Sequence, residues 1–560
     1  MTLRPYTIGA TLLCATLMYA QTPKWLKKTA KAQLTVMTID AQGQLKGSGK
    51  AFFVDERGTA VANYELFRGA ASAKTAGLDH KEYEADLILG ANALYDVAKF
   101  SVRTDKKTPY IPTATRKGSQ GQPVYILTGE EKKPYLTDTI VQVQQFGAER
   151  YSYYTLKRTL PADYVNCPVV DTDGQLLALV QRSAGTTAQA TYAIGIDYAL
   201  QLGINALSAT DSDLNGIGLP KALPSDLNDA RTYIYMIAAR TDSATYDGYL
   251  SRYVAQFANE SETYARRADF YMARGNYAAA EADMEQAIVL SKNKDEEYYT
   301  YARLIYNLNL QQGYVQYKDW DLNKALYYVR EANKTKPQPH YTLQEAHTLF
   351  ALKQYDEAAA LYLQLNDTPM RCADNFLYAA QCKKMTEQPD TAAILALQDS
   401  AVACHKQPYT REAATALIER AQTLADLGQY RRAVLDMNEY EKVMGNRLTA
   451  HFYYRREQAE MRCRMYQQAL DDMDRAVRMA PGEPLYHLEQ AVVRYTVGHI
   501  EDAIASIDKC LALSQDYPEA YRIKGICLRQ QGKKEEADAC LKQAAEAGDT
   551  IARQLLEEAQ

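Results

Sequence analysis

The chain has 560 residues, room for roughly three or four domains at about 150 residues each. With 47% hydrophobic and 24% charged residues it has the composition of folded globular protein, which excludes wholesale disorder and collagen-like structure. A net charge of −5 is too small to steer the whole molecule to nucleic acid or to an anionic membrane.

The charge is unevenly divided. Residues 21–205 hold 22 Lys+Arg against 18 Asp+Glu, whereas residues 206–560 hold 41 against 51. A mildly basic first part is therefore followed by an acidic second part, which points to two differently built regions. Tyrosine is abundant, 44 residues against 10 Phe and 2 Trp. Tyrosine suits positions where a ring packs while its hydroxyl stays wet or hydrogen-bonded, a feature of thin, surface-rich layers.

The first twenty residues read as a cleaved signal peptide. Arg4 supplies the positive start, Ile8 to Met18 the apolar stretch, and Met18-Tyr19-Ala20 a cleavage site before Gln21. The large Leu13 before Cys14 argues against a lipid anchor, and no later run approaches the length of a membrane span. A periplasmic or secreted location follows. The remaining cysteines, at 167, 372, 382, 404, 463, 510, 527 and 540, form no CxxC pair and no cluster at metal spacing, so no metal or other cofactor is expected.

From about 23 to 205 the punctuation is that of short strands. Leu34 to Ile39 alternates, and Asp55-Glu56-Arg57-Gly58 reads as a hairpin turn between Ala51–Val54 and Thr59–Leu66. Tyr83–Leu89, Val97–Val102, Pro123–Thr128, Thr139–Phe146, Val169–Val170, Leu176–Val180 and Thr191–Ile196 follow. About ten strands without intervening helices imply a barrel or sandwich domain. Residues 206–228, rich in Ser, Asp, Asn, Gly and Pro, read as a linker.

From about 230 to 560 the period turns helical and repeats. Tyr521, Gly525, Gly532, Ala537 and Ala544 are matched 34 residues earlier by His487, Ala491, Gly498, Ala503 and Cys510. Another 34 back stand Tyr453, Glu457, Arg464, Ala469 and Ala476, and near the start Tyr264, Ala268, Gly275, Ala280 and Ala287. Small residues at fixed positions let two helices approach closely. This register resembles the tetratricopeptide (TPR) repeat, in about eight units over 261–548 with a final solvating helix. Glu457 departs from the pattern by standing where a small residue belongs.

The β region carries a second resemblance. Gly47-Ser48-Gly49, Phe52-Phe53-Val54-Asp55, Asn63-Tyr64-Glu65, Asp96-Val97-Ala98 and Pro168-Val169-Val170 follow in the order of segments in bacterial trypsin-like serine proteases. The resemblance implies a double β-barrel, and with the repeats a multidomain chain: an all-β trypsin-like part followed by an all-α TPR solenoid. It also places Glu65 at the family's base position, Asp96 at its Asp and Val165 at its nucleophile, with Asp163 and Asn166 where the oxyanion glycines belong. Peptide-bond acyl transfer needs a nucleophile, a base and an oriented oxyanion site. Only Asp96 survives, so no catalytic residue is assigned and an inactive relative is expected. His80 sits in a polar turn outside the base position. Cys167 lies two residues past the nucleophile position and lacks a base.

The expected function is therefore an extracytoplasmic interaction protein, a pseudoprotease joined to a peptide-binding array. The alternative is a secreted trypsin-like endopeptidase with a TPR partner-binding region. Nucleic acid is excluded by the acidic repeats, which lack a basic stripe. By the TPR resemblance, the concave face takes Tyr454, Gln458, Met461 and Arg462, then Leu488, Val492 and Tyr495, then Arg522, Ile526 and Arg529. An acidic side chain or a C-terminal carboxylate near Arg462, Arg522 and Arg529 is the expected ligand feature, unless neighbouring carboxylates already pair these arginines.

Overall fold

The computed structural model describes residues 23–78, 81–181, 190–311 and 316–558. The expected signal segment and His80 lie outside the described residues. The chain divides into two compact units, Met1–Phe270 and Tyr271–Gln560.

The first unit holds two closed antiparallel barrels of six strands each. The first is built from β1 (Gln33–Ile39), β2 (Leu45–Phe53), β3 (Thr59–Ala62), β4 (Ser72–Gly77), β5 (Glu82–Asn92) and β6 (Val97–Val102), in the spatial order 1-2-3-6-5-4. The second comprises β7 (Pro123–Leu127), β8 (Tyr135–Phe146), β9 (Tyr151–Leu156), β10 (Pro168–Val170), β11 (Leu176–Val180) and β12 (Thr191–Gly195). Alternation explains each wall. Val36, Phe52, Ala60, Ile88 and Phe100 fill the first interior, and Val124, Ile126, Ile140, Tyr154 and Val169 the second. Asp55 sets the hairpin between β2 and β3, its carboxylate accepting from the Arg57 and Thr59 N–H groups at 2.8 and 3.0 Å.

Two strands escaped the sequence pattern. β4 turns only Ala73 and Thr75 fully inward, and β9 buries Ser152 beside Tyr154 and Leu156, so small or polar inward residues blur the apolar alternation. One strand was read too long: β3 stops at Ala62, and Tyr64–Phe67 forms a single helical turn.

Residues 206–228, read from composition as a linker, are folded onto the first barrel instead. Leu214, Ile217 and Leu219 are 2%, 1% and 1% exposed and belong to its core. The backbone adds to the sheet: Ile88 N–H donates to the Pro220 carbonyl at 2.8 Å, and Ala222 N–H to the Ile88 carbonyl at 2.9 Å. Gly218 makes a close approach possible, since a Cβ there would lie 2.7 Å from the Ala70 carbonyl oxygen. Helices Leu227–Ile237 and Ser243–Gln256 continue the unit around Tyr233, Tyr249, Leu250 and Tyr253.

The second unit is all helical among the described residues. Its helices pack in successive pairs: Asp295–Leu310 with Leu322–Thr335, Pro339–Ala351 with Tyr355–Gln364, and Ala373–Lys384 with Thr391–Ala403. Ala414–Asp426 pairs with Tyr430–Met444, Ala450–Arg462 with Tyr466–Met479, Pro484–Thr496 with Ile500–Leu513, and Pro518–Gln530 with Lys534–Glu546. Thr550–Glu557 packs last, against Lys534–Glu546. The small residues do what their spacing implies. A Cβ on Gly525 would lie 2.7 Å from Leu541 Cγ and 3.1 Å from the Ala537 carbonyl, and Ala491 and Ala503 are fully buried.

Candidate functional site

A cleft of about 800 Å³ in the first unit is lined by residues of both barrels. Lys46, Gly47, Ser48, Gly49 and Lys50 of β2 border it, together with Asn63, Glu65 and Leu66. Ala162, Asp163, Val165 and Asn166, which precede β10, close the other side. The structure thus brings Glu65 and Val165, two of the three positions singled out by the resemblance, to one cleft, and a hydrogen bond ties the third, Asp96, to Glu65.

That bond is made by backbone. The Asp96 carboxylate accepts from the Glu65 N–H at 2.9 Å. Asp96 itself has φ 44°, held in the tight turn between β5 and β6 by its N–H to the Ala93 carbonyl. The Glu65 side chain turns to Arg68, 2.6 Å away, and stays 37% exposed. The carboxylate of Asp96 therefore orients a helical turn, and the side chain on that turn is an acid paired to arginine.

The turn before β10 is closed on itself. Tyr164 N–H donates to the Pro161 carbonyl, Val165 N–H to Ala162 and Cys167 N–H to Tyr164, while Asn166 N–H reaches Val180 on β11. Asn166 takes φ 68° and donates its amide to Asn63 Oδ1 at 2.6 Å, leaving its own Oδ1 buried without a partner among the described residues. Cys167 is fully buried. Lys50 Nζ lies 3.6 Å from its sulfur and donates to the Asp163 carbonyl at 2.8 Å. Burial outweighs the lysine, and the thiol is pushed up to about 11. Lys50, Asn63 and Asn166 do not stand out as a group in the sequence; only the Gly47-Ser48-Gly49 run immediately before Lys50 marks its place. Among the described residues no cluster of three or more His, Cys, Asp or Glu is arranged to hold a metal ion.

In the second unit the residues expected on a concave face differ in burial and pairing. Tyr454, Gln458, Val492, Tyr495 and Ile526 are half-buried. Leu488, expected on that surface, is 2% exposed and packs into the core with Ala491 and Ile507. The three arginines do not form a free set. Arg522 is paired with Asp549 at 2.8 Å and Glu519 at 2.7 Å. Arg529 donates to Asp538 at 2.8 Å and to the Leu555 carbonyl at 2.9 Å, so it serves the last helix. Arg462 is exposed beside Arg431 and Arg432 at a small cavity of about 330 Å³.

A tetratricopeptide repeat family model matches residues 261–294. A crystal structure of the serine endoprotease from Yersinia pestis is similar at 18% identity and a TM-score of 0.27, covering 31% of this chain and 62% of that one. The barrel architecture rests on the strand pairings themselves. No curated protein matches the chain. Among the described residues no helix is long and apolar enough to cross a membrane.

Proposed function

We propose that this chain is an extracytoplasmic interaction protein, with a two-barrel unit that has lost acyl-transfer chemistry and a helical array that binds a protein or peptide. The observation carrying this reading is the turn 164–167. All four of its backbone N–H groups are taken by carbonyls of the chain, so none is left to meet an oxyanion in the cleft. Val165, on that turn, offers no nucleophilic atom. Glu65, in the base position, is engaged by Arg68 at 2.6 Å, and the residue placed opposite it, Val165, carries no hydroxyl or thiol for it to activate. Cys167, the nearest thiol, is held protonated and out of reach of a substrate.

The repeat match at 261–294 and the partial exposure of Tyr454, Gln458 and Tyr495 support a binding role for the array. The apolar opening Ile8–Met18 supports export. The test uses the full chain as bait for envelope proteins, beside Tyr454→Ala/Gln458→Ala. A partner kept by the parent chain and lost by the double variant supports the reading. Equal capture by both moves the binding surface off these residues, and casein cleavage by the parent chain supports the endopeptidase alternative for the barrel unit.

A further inference from the structure

The unit that breaks the repeat pattern also has an unbalanced interior. Arg456, with its side chain 4% exposed, forks onto Asp472 at 2.6 and 2.8 Å and reaches Glu441 at 2.6 Å. Glu460, equally buried, stands 3.8 Å from the same guanidinium through Oε1, and its Oε2 has no partner among the described residues. Glu457, in the small-residue position and 1% exposed, has the Gln458 amide at 2.7 Å.

The neighbouring elements do not correct the balance. Helix Tyr430–Met444 contributes Glu441 and Asn438, the latter also bonded to Arg456. Helix Tyr466–Met479 contributes Asp471, Asp472 and Arg475, and Arg475 lies 3.0 Å from Glu441 and 3.7 Å from Asp472. Helix Pro484–Thr496 adds Glu489, whose charge acts on Glu457. Two guanidiniums thus face six carboxylates. A buried carboxylate without a full partner is more stable neutral than charged.

We propose that the packing of helices Ala450–Arg462, Tyr466–Met479 and Pro484–Thr496 is a proton-held seam, closed while Glu457 and Glu460 carry protons and loosened as both ionise. It goes beyond the proposed binding role and does not depend on what the array binds.

The direction of the pH effect follows from the geometry. Burial first, then the charge of Glu489 on Glu457 and of Asp472 on Glu460, push both acids from 4.5 up to about 8. Burial and then Glu519 also raise Glu489. The folded seam therefore binds these protons more tightly than the unfolded chain does. Their stabilisation is complete below about pH 4.5, shrinks as pH rises, and is gone above about pH 8.

The test is amide hydrogen exchange on the full chain between about pH 6 and about pH 9, corrected for intrinsic rates and referred to helix Ala373–Lys384. Protection in helices Ala450–Arg462 and Pro484–Thr496 should fall by about tenfold or more over that range. Glu457→Gln/Glu460→Gln, which mimics the neutral acids, should flatten the response. Should the double variant fail to fold, Glu489→Gln alone should shrink the response, because it removes the charge opposite Glu457. A parent chain whose relative protection does not change with pH overturns the proposal, as does an undiminished response in the variants.

Discussion

The cleft of the first unit and the helix contact around Glu457 in the second each hold a carboxylate where the pattern read from sequence expects another residue, and the two surroundings differ. At Glu65 the carboxylate is half-exposed and met by Arg68, so the fold carries it at little cost. At Glu457 the carboxylate stands where its neighbours use Ala491 and Gly525, and it is 1% exposed. There the charge must be neutralised or the packing must yield. A carboxylate at a solvent-facing site is paired and hydrated, whereas the same group in a helix–helix contact is stable only when neutral or fully partnered.

The largest expected effect tests the second half of that contrast. Arg456→Ala removes the cation that Asp472, Glu441 and Glu460 share, and should cost the array about 3–5 kcal/mol in denaturant unfolding. A loss near zero would mean that the cluster is wet and that the seam is not a low-dielectric site. In the first unit, Gly218→Val pushes a side chain against the Ala70 carbonyl and should cost about 1–3 kcal/mol. If residues 206–228 are instead a loose tether, that variant is neutral and limited proteolysis cuts there first.

Smaller effects separate binding from capping. Arg522→Ala with Arg529→Ala removes contacts to Asp549 and the Leu555 carbonyl, and should loosen helix Thr550–Glu557 by ~1 kcal/mol per site. Exchange in that helix should rise while partner capture is unchanged. Weakened capture with the helix intact would restore the carboxylate site inferred from sequence.

Much of this architecture is legible in the chain. The Asp55–Gly58 hairpin, the order of the barrel segments and the 34-residue register each rest on local geometry that few residues satisfy. Glu65 and Val165 stand out in the chain only through the family resemblance, which rests on the order of the segments around them. The 206–228 segment was misread because composition counts Ser, Asp and Gly but not the spacing of Leu214, Ile217 and Leu219, which decides burial. Leu488 and the arginines were misplaced for another reason. Repeat positions give the face of a helix, whereas pairing with Asp549, Asp538 or the last helix depends on residues far along the chain.

The central claim is that the cleft between the barrels keeps its walls and has lost its chemistry. The most direct measurement is fluorophosphonate labelling of the full chain and of Val165→Ser, each followed by casein digestion. No label on any cleft hydroxyl and no cleavage above background are predicted for both, because a serine there would still lack a base and a free pair of backbone N–H donors. Labelling of the parent chain at a hydroxyl lining the cleft, or casein cleavage by either protein, would contradict it.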